Sequence, residues 1–179
     1  MYKKLIIALI LALATFSLSS AAADGGKKVP RTEIKSIVKD FKRYDDFESV
    51  TIGKFMMKLI KSVETMDIDD MDDDESKEFE NVMKLMKSLD GMIAADYEDC
   101  SEAVKAKFNS RMTKALDGVE LLMESKDDED HVYIYGYVTK DGEEIKDLVI
   151  FSPEEGNFMC LLGTLKMEYL GELAKSANK

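Results

Sequence analysis

The strongest constraint on the fold lies in the second half of the chain, where apolar residues recur at every second position. The run Val132–Val138 has this two-residue period, which is typical of a β-strand with two different faces. Asp141-Gly142 separates it from a second run, Ile145–Phe151, and this arrangement is a strong signal for a β-hairpin. Residues 152–157 predict another turn, and Phe158–Leu162 predicts the next strand. The segment therefore predicts an antiparallel meander.

Helical periodicity dominates the first half of the chain. Apolar residues recur there every three or four positions, as in helices that bury one face. Four such helices are predicted, at Ile34–Phe41, Phe55–Val63, Phe79–Met86 and Val104–Leu116. Short strands are predicted between and after them, at Phe47–Gly53, Met92–Tyr97 and Val119–Ser125. Thr32 is the expected cap of the first helix, and Gly163-Thr164 is expected to lead into a closing helix that starts with Leu165.

Together these elements predict an α+β domain. A helix has one apolar stripe, and an antiparallel sheet commonly has one solvated face. We therefore expect a two-layer fold with a mostly antiparallel sheet and with helices packed on one face. A single domain is expected over residues 33–175, preceded by a flexible leader at 24–32 and containing an acidic loop at 64–75. The pattern leaves the order of the strands open.

The first 23 residues predict a secretory signal peptide rather than part of the fold. Lys3 and Lys4 form a positive start, Leu5–Phe16 is apolar, and Ala21-x-Ala23 fits cleavage before Asp24. The apolar stretch is shorter than the roughly 20 residues that a membrane-spanning helix needs. The sequence thus predicts an exported protein of the periplasm or cell envelope, with no membrane span after cleavage near Ala23 and no lipid-anchoring cysteine there. An uncleaved N-terminal anchor is the alternative.

The charge of the chain limits its partners. The formal net charge is −11, and removal of two lysines with residues 1–23 makes it −13. Such an acidic chain is repelled by phosphate backbones and anionic headgroups, so we expect neither nucleic acid nor an anionic membrane surface as partner.

Cys100 and Cys160 leave two alternatives open. Export permits a disulfide between them, but it does not require one. Two small, unbonded buried side chains are the expected state, and a disulfide is the alternative. A thioredoxin-like redox motif is not indicated, because the two residues lack CxxC spacing.

The candidate metal and catalytic residues are few. Seven of the nine residues in Asp67–Glu75 are acidic, but Met71 and Asp72 stand where a calcium loop needs an oxygen ligand and a glycine. We expect a solvated linker there, with weak divalent-cation binding as the alternative.

His131 is the single histidine, beside the acidic residues 127–130. It is expected at the surface, at the start of a strand, with its charged form favoured by these acids. No spacing supports a zinc site or a catalytic base, and no cofactor is predicted.

A row of tyrosines is the best candidate for binding. Tyr133, Tyr135 and Tyr137 are two residues apart, so they share one face of the predicted strand, opposite Val132, Ile134 and Val138. Tyrosine is enriched at recognition surfaces, which suggests a face that binds a protein or glycan. The alternative is that the rings cover neighbouring strands or pack under helices.

The order of the segments resembles the family known as domain of unknown function 4252. The resemblance rests on Phe47–Met56, Leu89–Met92, Val132–Val138, Glu143–Phe151 and Leu161–Leu165, and it extends over nearly all of residues 33–174. This resemblance implies a small exported protein of a Gram-negative bacterium and the fold of that family. It implies no active site. Some members are lipid-anchored, and this chain differs from them because no cysteine follows its signal segment.

The expected function is therefore non-catalytic binding by an exported domain of the cell envelope. The motivation is a well-patterned fold without an assembled catalytic set. The alternatives are an enzyme of unfamiliar type that uses carboxylates, or weak divalent-cation binding by the acidic residues 67–75.

Overall fold

The computed structural model describes residues 26–62, 87–126 and 131–168. The helices in these ranges are α1 (Arg31–Phe41), α2 (Lys54–Ser62) and α3 (Glu102–Leu116). The strands are β1 (Glu48–Ile52), β2 (Leu89–Asp96), β3 (Glu120–Lys126), β4 (His131–Val138), β5 (Glu144–Ser152) and β6 (Asn157–Lys166). The predicted signal peptide, the helix at 79–86 and the acidic segments 64–75 and 127–130 lie outside the described residues.

The six strands form one open sheet in the order β1-β2-β6-β5-β4-β3. All pairings between these described strands are antiparallel. Strands β3 to β6 follow one another as a meander, and β6 then pairs with β2, far back in the chain. The predicted α+β class with a mostly antiparallel sheet is confirmed.

Two apolar clusters lie on opposite faces of the sheet, because neighbouring residues of β2, β4, β5 and β6 alternate between them. The first cluster contains the buried stripes of α1 and α3, which pack on Ile93, Phe151 and Cys160 of the sheet. Ile34, Ile37, Val38 and Phe41 supply the stripe of α1, at the helical spacing predicted from the sequence. Both helices therefore bury their apolar stripes in the first cluster.

The second cluster shows that the other face of the sheet is also apolar. Ile134, Ile150 and Leu161 belong to this cluster and are buried, together with Met57 of α2. A helical residue therefore contributes to this face as well. Burial on both faces explains why β5 and β6 read as nearly continuous apolar runs rather than as strict alternations.

The predicted start of a closing helix at Gly163-Thr164 is wrong. Strand β6 continues to Lys166, and Leu165 pairs with Ile145 of β5. Gly163 lies inside the strand with a φ of 143°, and a Cβ there would lie 2.9 Å from the Cα of Leu89. The glycine thus permits a close approach of β2 to β6 and does not end the strand.

The N-terminal boundary also differs from the prediction. Helix α1 begins at Arg31 after Pro30, so Thr32 lies inside the helix and does not cap it. Residues 26–30 of the predicted leader contact the fold: Val29 is buried, and Lys27 pairs with Val119. The physical reason is that the backbone N–H of Lys27 donates to the Gly118 carbonyl, 3.0 Å away.

An ion pair links α1 to the sheet. Asp147 is a buried residue with a φ of 59° at the bulge of β5, where the pairing with β6 shifts. Its Oδ2 accepts from Nε of Arg31 at 2.7 Å, and its Oδ1 accepts from Nη2 of the same guanidinium. Oδ1 also accepts from the backbone N–H of Gly163 at 2.9 Å. One carboxylate therefore joins α1, β5 and β6. The hydrogen bond to this carboxylate raises the pKa of Arg31.

Candidate partner-binding face

The three tyrosines of β4 lie on one face of the sheet, as their spacing predicts. Tyr133 and Tyr135 pack against the first cluster, whereas Val132, Ile134 and Val138 contact the second. All three tyrosines are half-buried. We call the side of β4 that carries Tyr133, Tyr135 and Tyr137, together with the adjoining side of β3 that carries Leu121, the tyrosine face.

A row of paired residues crosses the sheet and ends in this face. Ile93, Cys160, Val149, Tyr135 and Leu121 are successive partners on β2, β6, β5, β4 and β3. The first three are at most 1% exposed, because α1 and α3 pack over this part of the sheet. Tyr135 is half-buried and Leu121 is 45% exposed. The apolar row therefore continues beyond the part of the sheet that the helices cover, and its last residue is exposed to solvent.

Leu121 was not identified from the sequence because β3 contains a bulge. The alternation predicts that Val119, Leu121 and Met123 share a face, but the pairing with β4 shifts between Leu121 and Met123. Leu122 and Met123 both contact the second cluster, whereas Val119 belongs to the first. Leu121 pairs with Tyr135, and this places it on the tyrosine face.

The aromatic rings of β4 stack along the strand. The ring centroids of His131 and Tyr133 are 4.4 Å apart with an interplanar angle of 28°. Those of Tyr133 and Tyr135 are 6.2 Å apart at 26°. In this arrangement the rings turn their faces to one another, so they present mainly edges and hydroxyl groups outward.

His131 lies at one end of the tyrosine face, in contact with two carboxylates. Its Nε2 lies 2.7 Å from Oε1 of Glu124, and its Nδ1 lies 3.3 Å from the hydroxyl of Tyr133. Oε1 of Glu154 is 4.0 Å from Nδ1. With a neutral imidazole, the network is satisfied when Nε2–H donates to Glu124 and the Tyr133 hydroxyl donates to Nδ1. The prediction that His131 begins a strand is confirmed, but its side chain is only 14% exposed.

The hydroxyl groups of Tyr133 and Tyr135 remain protonated at neutral pH. Burial raises the pKa of both Tyr133 and Tyr135, and the nearby carboxylate of Glu124 adds to the effect in each case. These hydroxyl groups can therefore donate and accept hydrogen bonds at the surface of the face. This chemistry suits recognition of polar groups beside an apolar contact.

The two cysteines are unbonded and buried in the first cluster. Burial raises the pKa of both thiols, most strongly that of Cys160, which is inaccessible to solvent. A raised pKa leaves little of the nucleophilic thiolate form at neutral pH. Both residues therefore act as small apolar side chains in this structure, as expected from the sequence.

Two features are absent from residues 26–62, 87–126 and 131–168. In these ranges, no cluster of three or more His, Cys, Asp or Glu side chains is suitably placed for a metal ion. None of the helices in the same ranges has the length and apolar character required to cross a membrane.

Comparison with known proteins gives a family assignment. The family model described as Domain of unknown function (DUF4252) matches residues 41–173, which is most of the chain. Neither a curated protein nor a solved structure matches the sequence. The matched range includes the six strands and the whole tyrosine face. The chain therefore belongs to the DUF4252 family.

Proposed function

We propose that this protein is an exported, non-catalytic domain of the cell envelope that binds a protein partner through its tyrosine face. The observation that supports the proposal best is the apolar row that ends at Tyr135 and Leu121. Among the residues that the structure describes, the exposed large apolar side chains are Phe55, Met56 and Leu121, and of these three Leu121 lies beside an aromatic row. Exposed apolar side chains next to tyrosines are typical of binding surfaces.

The ring geometry favours a protein over a glycan. A sugar ring stacks on the free face of an aromatic ring, but the faces of Tyr133 are turned towards His131 and Tyr135. The outward edges and hydroxyls suit apolar side chains and backbone amides of a protein partner. Tyr137 lies at the other end of the row, opposite Lys146 of β5, and extends the surface that such a partner would cover.

Export is the second part of the proposal. It rests on the positive start, the apolar stretch and the small residues of positions 1–23. N-terminal sequencing of the protein from an envelope fraction should find Asp24 as the first residue. A product that begins at Met1 and remains in the cytosol would contradict export.

The binding proposal is tested by polar substitution at the exposed end of the apolar row. Leu121→Ser and Tyr137→Ser remove apolar surface at positions that are not fully buried, so the fold should persist. Phe55→Ser is the matched control, because Phe55 is 75% exposed and lies on α2. Each variant is purified from envelope extracts, and the co-purifying proteins are compared with those of the wild type.

The expected result is selective loss of one or more partners in Leu121→Ser and Tyr137→Ser. Truncation of a hot-spot residue in an interface costs more than about 1 kcal/mol, which is at least about a fivefold loss of affinity. Phe55→Ser should retain the partners. Circular dichroism of each variant checks that the fold is intact. If all variants retain the same partners, the tyrosine face is not the binding surface.

A further inference from the structure

The fold separates the charges of the chain into two regions. The helices α1 and α3 with their flanking residues, 26–46 and 101–117, carry 11 basic and six acidic side chains, a net charge of +5. The other described residues, 47–62, 87–100, 118–126 and 131–168, carry eight basic and 14 acidic side chains, a net charge of −6. We call the outward side of α1 and α3 the helical surface. Its charge is opposite in sign to that of the whole chain.

The basic residues of the helical surface form two matched stripes. Lys35, Lys39 and Lys42 follow the spacing i, i+4, i+7 from α1 into its C-cap residue, and all three are exposed. Lys107, Arg111 and Lys114 repeat the same spacing on α3, where the two lysines are exposed. This spacing keeps the members of each stripe on one side of their helix.

The two stripes lie on helices that contact each other, although Asp40, which makes one of these contacts, lies on a different flank of α1 from the lysine stripe. Nη2 of Arg111 on α3 lies 2.9 Å from Oδ2 of Asp40 on α1. The guanidinium of Arg111 also lies 5.7 Å from the ring centroid of Phe41. At the end of α1, Nζ of Lys107 donates to the hydroxyl of Tyr44 at 3.5 Å. These contacts hold the basic side chains of both helices on the same side of the sheet.

The pKa of Tyr44 reflects the basic environment of the helical surface. The guanidinium of Arg43 lies 5.3 Å from its ring centroid, and Lys107 contacts its hydroxyl. These two cations lower the pKa of Tyr44, with the hydrogen bond to Arg43 as the largest cause. The environment therefore favours a negative charge at this position. Tyrosine is also enriched at membrane–water interfaces.

We propose that the helical surface binds an anionic phospholipid membrane. The basic residues are spread along two neighbouring helices and do not converge on one point, which fits a plane of many phosphates better than a single phosphate group. Exposed charges farther apart than about 8 Å are largely screened at physiological salt. Acidic residues beyond this distance from the helical surface therefore weaken the attraction little, and the helices face the bilayer.

The test measures sedimentation of the mature full-length chain with lipid vesicles. One vesicle preparation contains phosphatidylglycerol and phosphatidylcholine in about a 3:7 ratio, and the other contains phosphatidylcholine alone. The test variant replaces Lys35, Lys39 and Lys42 by Gln. The matched control replaces Lys126, Lys140 and Lys146, three exposed lysines of the sheet region, so the net charge changes equally. Arg111 is left unchanged because of its contacts with α1.

The wild type should bind the anionic vesicles at low salt and detach as the salt concentration rises. Each lysine near an anionic bilayer changes the partition by roughly fivefold, so the test variant should lose at least about tenfold. The control triple variant should bind like the wild type. Equal binding to both vesicle types, or equal losses in the two triple variants, would overturn the proposal. Binding to heparin without binding to vesicles would also overturn it, since the surface would then recognise a polyanion other than lipid.

The vesicle-binding test is independent of the partner-binding proposal. Leu121→Ser and Tyr137→Ser alter the sheet and leave both basic stripes in place. They should therefore bind anionic vesicles like the wild type. Loss of vesicle binding in these two variants would contradict the assignment of lipid binding to the helical surface.

Discussion

The ion pair between Arg31 and Asp147 offers the sharpest test of how α1 is held on the sheet. The change is Asp147→Ala, which removes the acceptor of three hydrogen bonds, two from the guanidinium and one from the backbone N–H of Gly163. It also places alanine at a φ of 59°, a conformation that aspartate tolerates better. Asp147→Asn keeps an acceptor and the tolerated conformation but removes the charge, so it separates the two effects.

The magnitude follows from burial. The N–H of Gly163 lies in a buried hydrogen bond, and leaving it without an acceptor costs about 1–3 kcal/mol. The left-handed conformation of alanine adds about 1 kcal/mol. The side chain of Arg31 is 42% exposed and can be hydrated, so the full loss of about 3–5 kcal/mol for a broken buried pair does not apply. We expect Asp147→Ala to lower the free energy of unfolding by about 3 kcal/mol, and Asp147→Asn by about 1 kcal/mol.

The assay is urea unfolding followed by circular dichroism. A matched control is Asp90→Ala, which removes the partner of Lys54 in a pair 3.5 Å apart whose side chains are 76% and 45% exposed. Such a surface pair contributes less than about 1 kcal/mol. If Asp147→Ala is no more destabilising than Asp90→Ala, the carboxylate does not hold α1, β5 and β6 together, and the reasoning from its hydrogen bonds is refuted.

Two further predictions concern buried side chains. In the native protein, a thiol reagent at pH 8 should label Cys160 more slowly than Cys100, because Cys160 is 0% exposed and Cys100 is 6% exposed. Both should react in denaturant without a reductant, and failure of both to react would indicate a disulfide. Burial raises the pKa of Tyr97 above its ordinary value of 10.0, so only the unfolded chain ionises this residue just above that pH. The stability due to its neutral state is complete below pH 10 and should fall above it. Tyr97→Phe should reduce this loss; an unchanged pH dependence in urea unfolding would contradict it.

The local parts of the fold could be predicted from the sequence. The stripe of α1, the stripe of α3 and the hairpin at Asp141-Gly142 depend on residues a few positions apart, and each appears in the structure. The shared face of the three tyrosines follows from the same local geometry. These predictions succeed because neighbouring residues in the sequence determine them.

The features that were missed depend on contacts between distant residues. Strand β6 extends to Lys166 because β5 pairs with it, and Gly163 permits the approach of β2. The N-terminal part of β2, Leu89–Gly91, lies outside the predicted strand Met92–Tyr97 for the same reason. The bulge of β3 moves Met123 to the opposite face and leaves Leu121 beside Tyr135. No local pattern specifies these pairings, so periodicity alone could not locate the exposed end of the apolar row.

Net charge was the least informative quantity for the binding surfaces. The value of −11 describes the whole chain, whereas the fold collects 11 basic residues in and around α1 and α3. The expectation that the protein does not bind an anionic membrane surface depended on this net charge of the whole chain. The i, i+4, i+7 spacing of the lysines was visible in the sequence, but their common surface depends on the packing of the two helices.

The most direct test of the central claim is site-specific photo-crosslinking through the tyrosine face. A photoreactive phenylalanine analogue replaces Tyr137 in one variant and Phe55 in another, and each protein is irradiated in intact cells. The account predicts a discrete crosslinked protein of the same mass in repeated experiments from position 137 and none of that mass from position 55. The account is contradicted if position 137 gives no adduct, or if both positions give the same adducts.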